Sequence, residues 1–176
     1  MIFKPARASF LAALAATLGS LITFCANVDQ PPAQLQPPAS ERLLLKVHAE
    51  GDQIYSCSAD GDRFTWTLKA PDARLYGEDG KSFGVHFAGP SWKANDGSQI
   101  TGKPAASVPS PDANSIPWLL VAVVSHSGDG ALAHVTYVQR INTKGGKAPA
   151  NGCDAGHAGQ EARVPYSADY VFFAPR

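Results

Sequence analysis

An all-β domain, a single antiparallel β-sandwich or barrel built from hairpins with long Pro/Gly-rich loops, is predicted by three features of the chain from Leu43 onward. Apolar and polar residues alternate at period two, as in Arg63–Lys69, where Phe64, Trp66 and Leu68 share one face and Arg63, Thr65, Thr67 and Lys69 the other. That pattern marks a strand buried on one side. Four Asp-Gly pairs, at Asp60-Gly61, Asp79-Gly80, Asp96-Gly97 and Asp129-Gly130, stand between or beside such runs and supply the positive φ angles of tight hairpin turns. No sustained helical period follows Leu43, so the apolar faces must be covered by a second sheet or by closure of one sheet.

In chain order, residues 1–25 read as a secretory signal peptide. Lys4 and Arg7 precede an apolar stretch from Phe10 to Phe24, which is too short and too weakly apolar for a permanent membrane span. Export is therefore expected, to the periplasm or beyond the cell. Ordinary cleavage after Cys25 ranks above lipidation. Ile22-Thr23-Phe24-Cys25 resembles a lipoprotein box that would anchor Cys25 in an outer membrane, but Phe24 stands where a small residue is usual. Residues 26–42, with paired prolines and glutamines, read as a disordered leader or tether. Residues 43–176 form the all-β domain.

Within that domain, strands are expected at "LLLKVHA", "DQIYSCS", "RFTWTLK", "ARLYG", "SFGVHFA", "WLLVAVV", "HVTYVQRI" and "DYVFFA". The run at Trp118–Val124 is the most apolar and should be a central strand covered on both faces. Residues 104–117, with four prolines, and residues 142–161 read as long surface loops, and such loops carry function more often than the strands beside them. In an oxidising compartment Cys57 and Cys153 are the remaining pair, and a disulfide is their expected fate. It would pin the second loop to the strand holding Cys57.

Charge excludes some partners. The 15 basic residues equal the 15 acidic ones, and loss of Lys4 and Arg7 with the signal tips the balance slightly acidic. No electrostatic case remains for nucleic acid or an anionic membrane surface.

Two motifs are decoys. "GDGALA", Gly128 to Ala133, matches a dinucleotide-binding pattern, yet that pattern must open a helix so that pyrophosphate meets the helix N-terminus. Here it opens a β-branched strand. "GEDGKS" has Leu75 where a phosphate loop needs its first glycine. Neither a G-x-S-x-G elbow nor H-E-x-x-H occurs, and His48, His86, His126, His134 and His157 lack ligand spacing. No cofactor and no metal is expected.

The segment "GVHFAGPSWKANDGSQITG", residues 84–102, gathers polar and aromatic residues. Alternation puts Val85 and Phe87 on one face and His86 on the other, away from the apolar layer or into a different one. Pro90 breaks the strand, Trp92 restarts it, and Asp96-Gly97 turns it back. In one reading Trp92 is a core residue; in the other His86, Trp92 and Asp96, with Lys93, rim a cleft for a small ligand.

Taken together, "QIYSC", "PDARLYGEDGKSFGVHFAGPSWKANDGSQITGK", "IPWLLVAVVSHSGDG", "VTYVQRINTKGGKAP", "NGCDAGH" and "VPYSADYVFF" resemble the domain-of-unknown-function family DUF3455 from about Leu43 to Phe173. The resemblance implies export and supplies no activity and no catalytic residue. A malate dehydrogenase label borne by some fungal relatives finds no nicotinamide site here beyond the rejected decoy. The shared motifs give a candidate ligand site of His86, Trp92, Asp96, Arg140, Thr143 and Lys144. Arg140, on a strand face with His134 and Thr136, is either a solvated charge or an anchor for a carboxylate or phosphate. The function that follows is a secreted, disulfide-stapled binding or envelope-associated module for an unidentified small ligand or envelope component. The alternative is an extracellular hydrolase or metal-dependent enzyme in which His86, Asp96 and a second histidine converge.

Overall fold

The computed structural model describes Met1 and residues 31–176. The expected signal peptide, Cys25 and the first part of the leader lie outside the described residues. The described residues form eight strands in order: β1 (Glu41–Asp60), β2 (Arg63–Gly77), β3 (Ser82–Phe87), β4 (Ser91–Ala94), β5 (Gln99–Val108), β6 (Trp118–Ser127), β7 (Tyr137–Gly145) and β8 (Glu161–Pro175). Each pairs antiparallel with the next, and β1 pairs with β8 over Glu41–Ser56. The sheet is a closed barrel, which decides between the two architectures expected. Among the described residues no helix is long and apolar enough to cross a membrane.

Tight hairpins make the meander. All four Asp-Gly pairs fall at strand connections: β1–β2, β2–β3, β4–β5 and β6–β7. Closure also needs strands that coil sharply, and glycine permits it where the backbone of one strand meets the next. A Cβ on Gly84 would lie 2.1 Å from the Lys93 carbonyl oxygen, and one on Gly51 2.1 Å from that of Asp72.

Inward residues alternate along every strand and form the main core: Val47 and Ala49, Ala73 and Leu75, Trp92 and Ala94, Ile100, Val121, Val138, and Ala168, Tyr170 and Phe172. A smaller apolar cluster lies on the outer wall, where Trp118, Leu120, Ile141 and Val171 pack against Leu35. Gln139 Nε2 donates to the Leu35 carbonyl oxygen at 2.6 Å. The expected tether at 26–42 is thus corrected over its described part. A short 3-10 turn, Ala33–Leu35, docks on the barrel with Leu35 fully buried, and the barrel begins at Glu41 rather than Leu43.

Other boundaries also move. β5 absorbs residues 104–108 of the first expected loop, and β7 absorbs 142–145 of the second, because each strand must stay paired to its neighbours. The Trp118–Val124 run is covered on both faces near Trp118–Val121, whereas Val124 is exposed. The Arg63–Lys69 stretch, read as half-buried, pairs with β1 alone, since β3 reaches only Ala73–Tyr76 of β2. It forms an arm projecting beyond the barrel wall, which leaves Leu68 52% exposed. The Cys57–Cys153 disulfide fastens the β7–β8 loop to this arm, and Trp66 Nε1 donates to the Asn151 carbonyl of the same loop at 2.9 Å.

Candidate functional site

The two ends of the barrel differ. At one, the β6–β7 connection folds back as a plug, with Leu132 and Val135 fully buried in the core. Its polar groups are paired. Asp96 accepts from the Ser98 hydroxyl at 2.6 Å, the Ser98 amide at 2.9 Å and the Ala131 amide at 2.8 Å. Ser98 Oγ in turn accepts from Leu132 N at 3.1 Å. The Ser98 hydroxyl, then the Ala131 and Ser98 amides, hold the Asp96 carboxyl below the usual carboxylate range. His126 Nε2 lies 2.7 Å from the Val135 carbonyl oxygen.

At the other end, near the β3–β4 turn and the base of the arm, a cavity of about 230 Å³ opens into the barrel. Its apolar wall includes Pro71, Pro90, Pro104 and Leu119; its polar groups include Gln53, His86 and Arg140. Each polar group reaches it through strand phase. Gln53 follows Val47, Ala49 and Gly51 on the inward face of β1, and Arg140 follows Val138 on β7, paired to Leu119 and Tyr170.

His86 is buried at 2% exposure and stacks on Trp92, ring centroids 4.6 Å apart at 14°, with Tyr170 4.9 Å away. Its Nδ1 lies 2.8 Å from the Ser91 carbonyl oxygen. A carbonyl only accepts, so Nδ1 carries the proton and Nε2 is left as an acceptor. Burial, with a smaller contribution from the Arg140 charge, pushes the imidazole down to about 3 despite that hydrogen bond. His86 is neutral at physiological pH.

Arg140 is half-buried and donates through Nε at 3.1 Å and Nη2 at 2.9 Å to the Pro117 carbonyl oxygen. Among the described residues no carboxylate lies within ion-pair distance of it. Its charge is felt by Tyr55, Tyr166, Tyr170 and His86. Burial nevertheless raises all three tyrosines, so their hydroxyls stay protonated. Tyr55 donates to the Gly146 carbonyl at 2.6 Å, and the Tyr166 and Tyr170 hydroxyls lie 3.4 Å apart.

Among the described residues three buried side-chain nitrogens have no hydrogen-bond partner: Gln53 Nε2 and Trp92 Nε1 inside the barrel, and Trp118 Nε1 on the outer wall. Buried donors are nearly always satisfied by protein, water or a ligand. Gln53 is the one that lines the mouth cavity.

The structure therefore brings His86, Trp92 and Arg140 of the candidate set together and separates the rest. Asp96 lies in the plug, at the far end of β4. Thr143 is buried and donates to the Ile116 carbonyl at 2.6 Å. Lys144 is exposed and, with Thr143, lines a different cleft of about 290 Å³. The expected facing of β3 is corrected: Gly84 and His86 point inward and Val85 is 43% exposed, because a neutral imidazole stacks inside the aromatic cluster. Arg140 likewise faces the lumen and is no solvated surface charge. A triad of His86, Asp96 and a second histidine is not assembled, and among the described residues no three His, Cys, Asp or Glu side chains group to hold a metal ion.

Gln53, Tyr55, Tyr166 and Tyr170 escaped the sequence reading. Their signal is polar residues falling in phase with the buried alternation of β1 and β8.

An eight-stranded antiparallel barrel plugged at one end, with a small polar cavity at the other, belongs to an architecture whose interior either fills with side chains or holds one small ligand. Residues 38–174 match the family described as protein of unknown function (DUF3455), and the chain belongs to that family. No curated protein and no solved structure matches it significantly.

Proposed function

We propose that the protein is an exported binding module that takes a small ligand in the mouth of its barrel. The observation that carries this reading is the unpartnered Gln53 Nε2, in a residue only 2% exposed, lining the cavity shared with Arg140. A buried donor without a partner costs about 1–3 kcal/mol, and a bound acceptor offsets that cost.

Binding is tested by following the side-chain N–H signals of Gln53 and Arg140 in NMR spectra while small-molecule fragments are added. Fragments that shift both, and that lose affinity in Gln53→Leu, support the reading. A library that leaves both signals unmoved overturns it. Export rests on the basic-then-apolar pattern of residues 1–25 and on the disulfide, which is at home in an oxidising compartment. The intact mass of the protein recovered from an exporting host tests it: a chain lacking residues 1–25, with Cys57 and Cys153 oxidised, is expected, and an unprocessed chain refutes it.

A further inference from the structure

We infer that the ligand of the barrel mouth is a small monoanion, a carboxylate carried on an apolar body, with the charged group held by Arg140 and Gln53. This rests on the binding reading above and names its chemistry.

The charge argument comes first. Arg163, an exposed residue of β8, shows what a paired guanidinium looks like here: it is forked between Asp52, at 3.1 Å, and Asp72, at 2.5 Å. Arg140, half-buried at a cavity, donates to the Pro117 carbonyl and lies against the Tyr170 hydroxyl, and among the described residues no carboxylate pairs with it. A guanidinium taken partly out of water without a counter-ion leaves electrostatic stabilisation unrealised, and its planar fork matches a carboxylate. The donors around it point the same way. Gln53 Nε2 is unpartnered, and of the two hydroxyls of Tyr166 and Tyr170 one can donate to the other while the second keeps a free hydrogen. An acceptor-rich group meets these needs; a cation meets none.

One charge is enough. His86 is neutral and its Nδ1–H is committed to Ser91, so among the described residues Arg140 is the only cation lining the inner part of the mouth, Lys69 being an exposed residue of the arm. A dianion would bring an unmatched charge into the barrel. The remaining wall, Pro71, Pro90, Pro104 and Leu119, is apolar and suits a hydrocarbon or ring. At about 230 Å³ the cavity is smaller than typical pockets for drug-sized ligands, which limits that body to about one ring.

Benzoate and its neutral isostere benzamide are the probes. Each is titrated into the purified protein while the Arg140 and Gln53 side-chain signals are followed, and then into Arg140→Gln and Arg140→Lys. Benzoate is expected to bind at least about tenfold more tightly than benzamide, with the preference lost in Arg140→Gln and kept in part in Arg140→Lys. Equal binding of the two probes overturns the anion inference and leaves the binding module standing. Failure of both to bind overturns both readings for ligands of this size. Should Arg140→Gln fail to fold, the benzoate preference of the unaltered protein and its decline with added salt decide the matter: a preference insensitive to salt counts against Arg140 as the anchor.

Discussion

The plugged end of the barrel and its open mouth are built from the same alternating strands, yet they treat polar groups in opposite ways. In the plug, Asp96 takes three hydrogen bonds and Ser98 Oγ accepts one from the Leu132 amide, so an exposed carboxylate organises a buried turn. At the mouth, Gln53 keeps an unpartnered nitrogen and, among the described residues, no carboxylate pairs with Arg140. A fold that satisfies its polar atoms at one end can do so at the other. Under the proposed binding function, leaving donors open there sacrifices stability at the place where a ligand would gain from it.

Substitutions sharpen this contrast, and the largest effect belongs to neither end alone. Replacing both Cys57 and Cys153 by Ser frees the loop and arm beside the mouth; with a sequence separation of 96, the loop-entropy relation gives a loss of about 4 to 5 kcal/mol, measured by urea unfolding. Next, Leu132→Ala hollows the plug and should cost about 3 kcal/mol, while benzoate affinity at the mouth stays unchanged. A large change in that affinity would mean that the two ends are not independent.

The third effect is one of pH. The His86 imidazole titrates at about 3 when folded against 6.5 when unfolded, so the unfolded chain takes up the proton first. The full stability is present above about pH 6.5 and falls as pH drops toward 3, with a slope of about 1.4 kcal/mol per pH unit. At pH 5 the loss is about 2 kcal/mol. Urea midpoints across this window should follow that slope in the native protein and flatten in His86→Phe; equal slopes in both would show that His86 is not the group responsible. The Asp96 carboxyl, whose folded value is lowered, contributes stability above about pH 4 that is lost in stronger acid, so the plug begins to weaken only toward the acid end of the His86 window. The smallest effect has the opposite sign. Gln53→Leu should raise stability by about 1 kcal/mol, seen as a higher urea midpoint, while weakening binding at the mouth. Destabilisation instead would show that Gln53 is a structural residue like those of the plug.

Much of the barrel was legible because its signals are local. Each Asp-Gly pair needs only its own turn geometry to mark a connection, and Trp92 after Pro90 restarted a strand as read. Closure was not legible, since it depends on pairing Glu41 with Pro175, a contact no local pattern encodes. The site was half legible. His86, Trp92 and Arg140 were singled out, but hydropathy alone turns a histidine outward, and only the stacked rings inside show why His86 goes in. Asp96 looked like a site residue because a carboxylate beside a turn resembles a ligand group. Its oxygens instead serve the neighbouring Ser98 amide and the Ala131 amide 35 residues away. Gln53 was missed because the phase of a long strand becomes clear only once its partners on both sides are known.

The pairing of β1 with β8 has a kinetic meaning as well. The first strand of the ring waits for the last, so the barrel cannot be completed until β8, through Pro175, has been synthesised. Until then both β1 and the newest strand present unpaired backbone edges. Neighbouring hairpins can form early, within microseconds, but sealing the ring requires the most distant contacts in the molecule, and such topologies fold slowly, on the order of milliseconds to seconds. The nascent chain thus stays an open sheet until its last strand is available, and the ring closes only then.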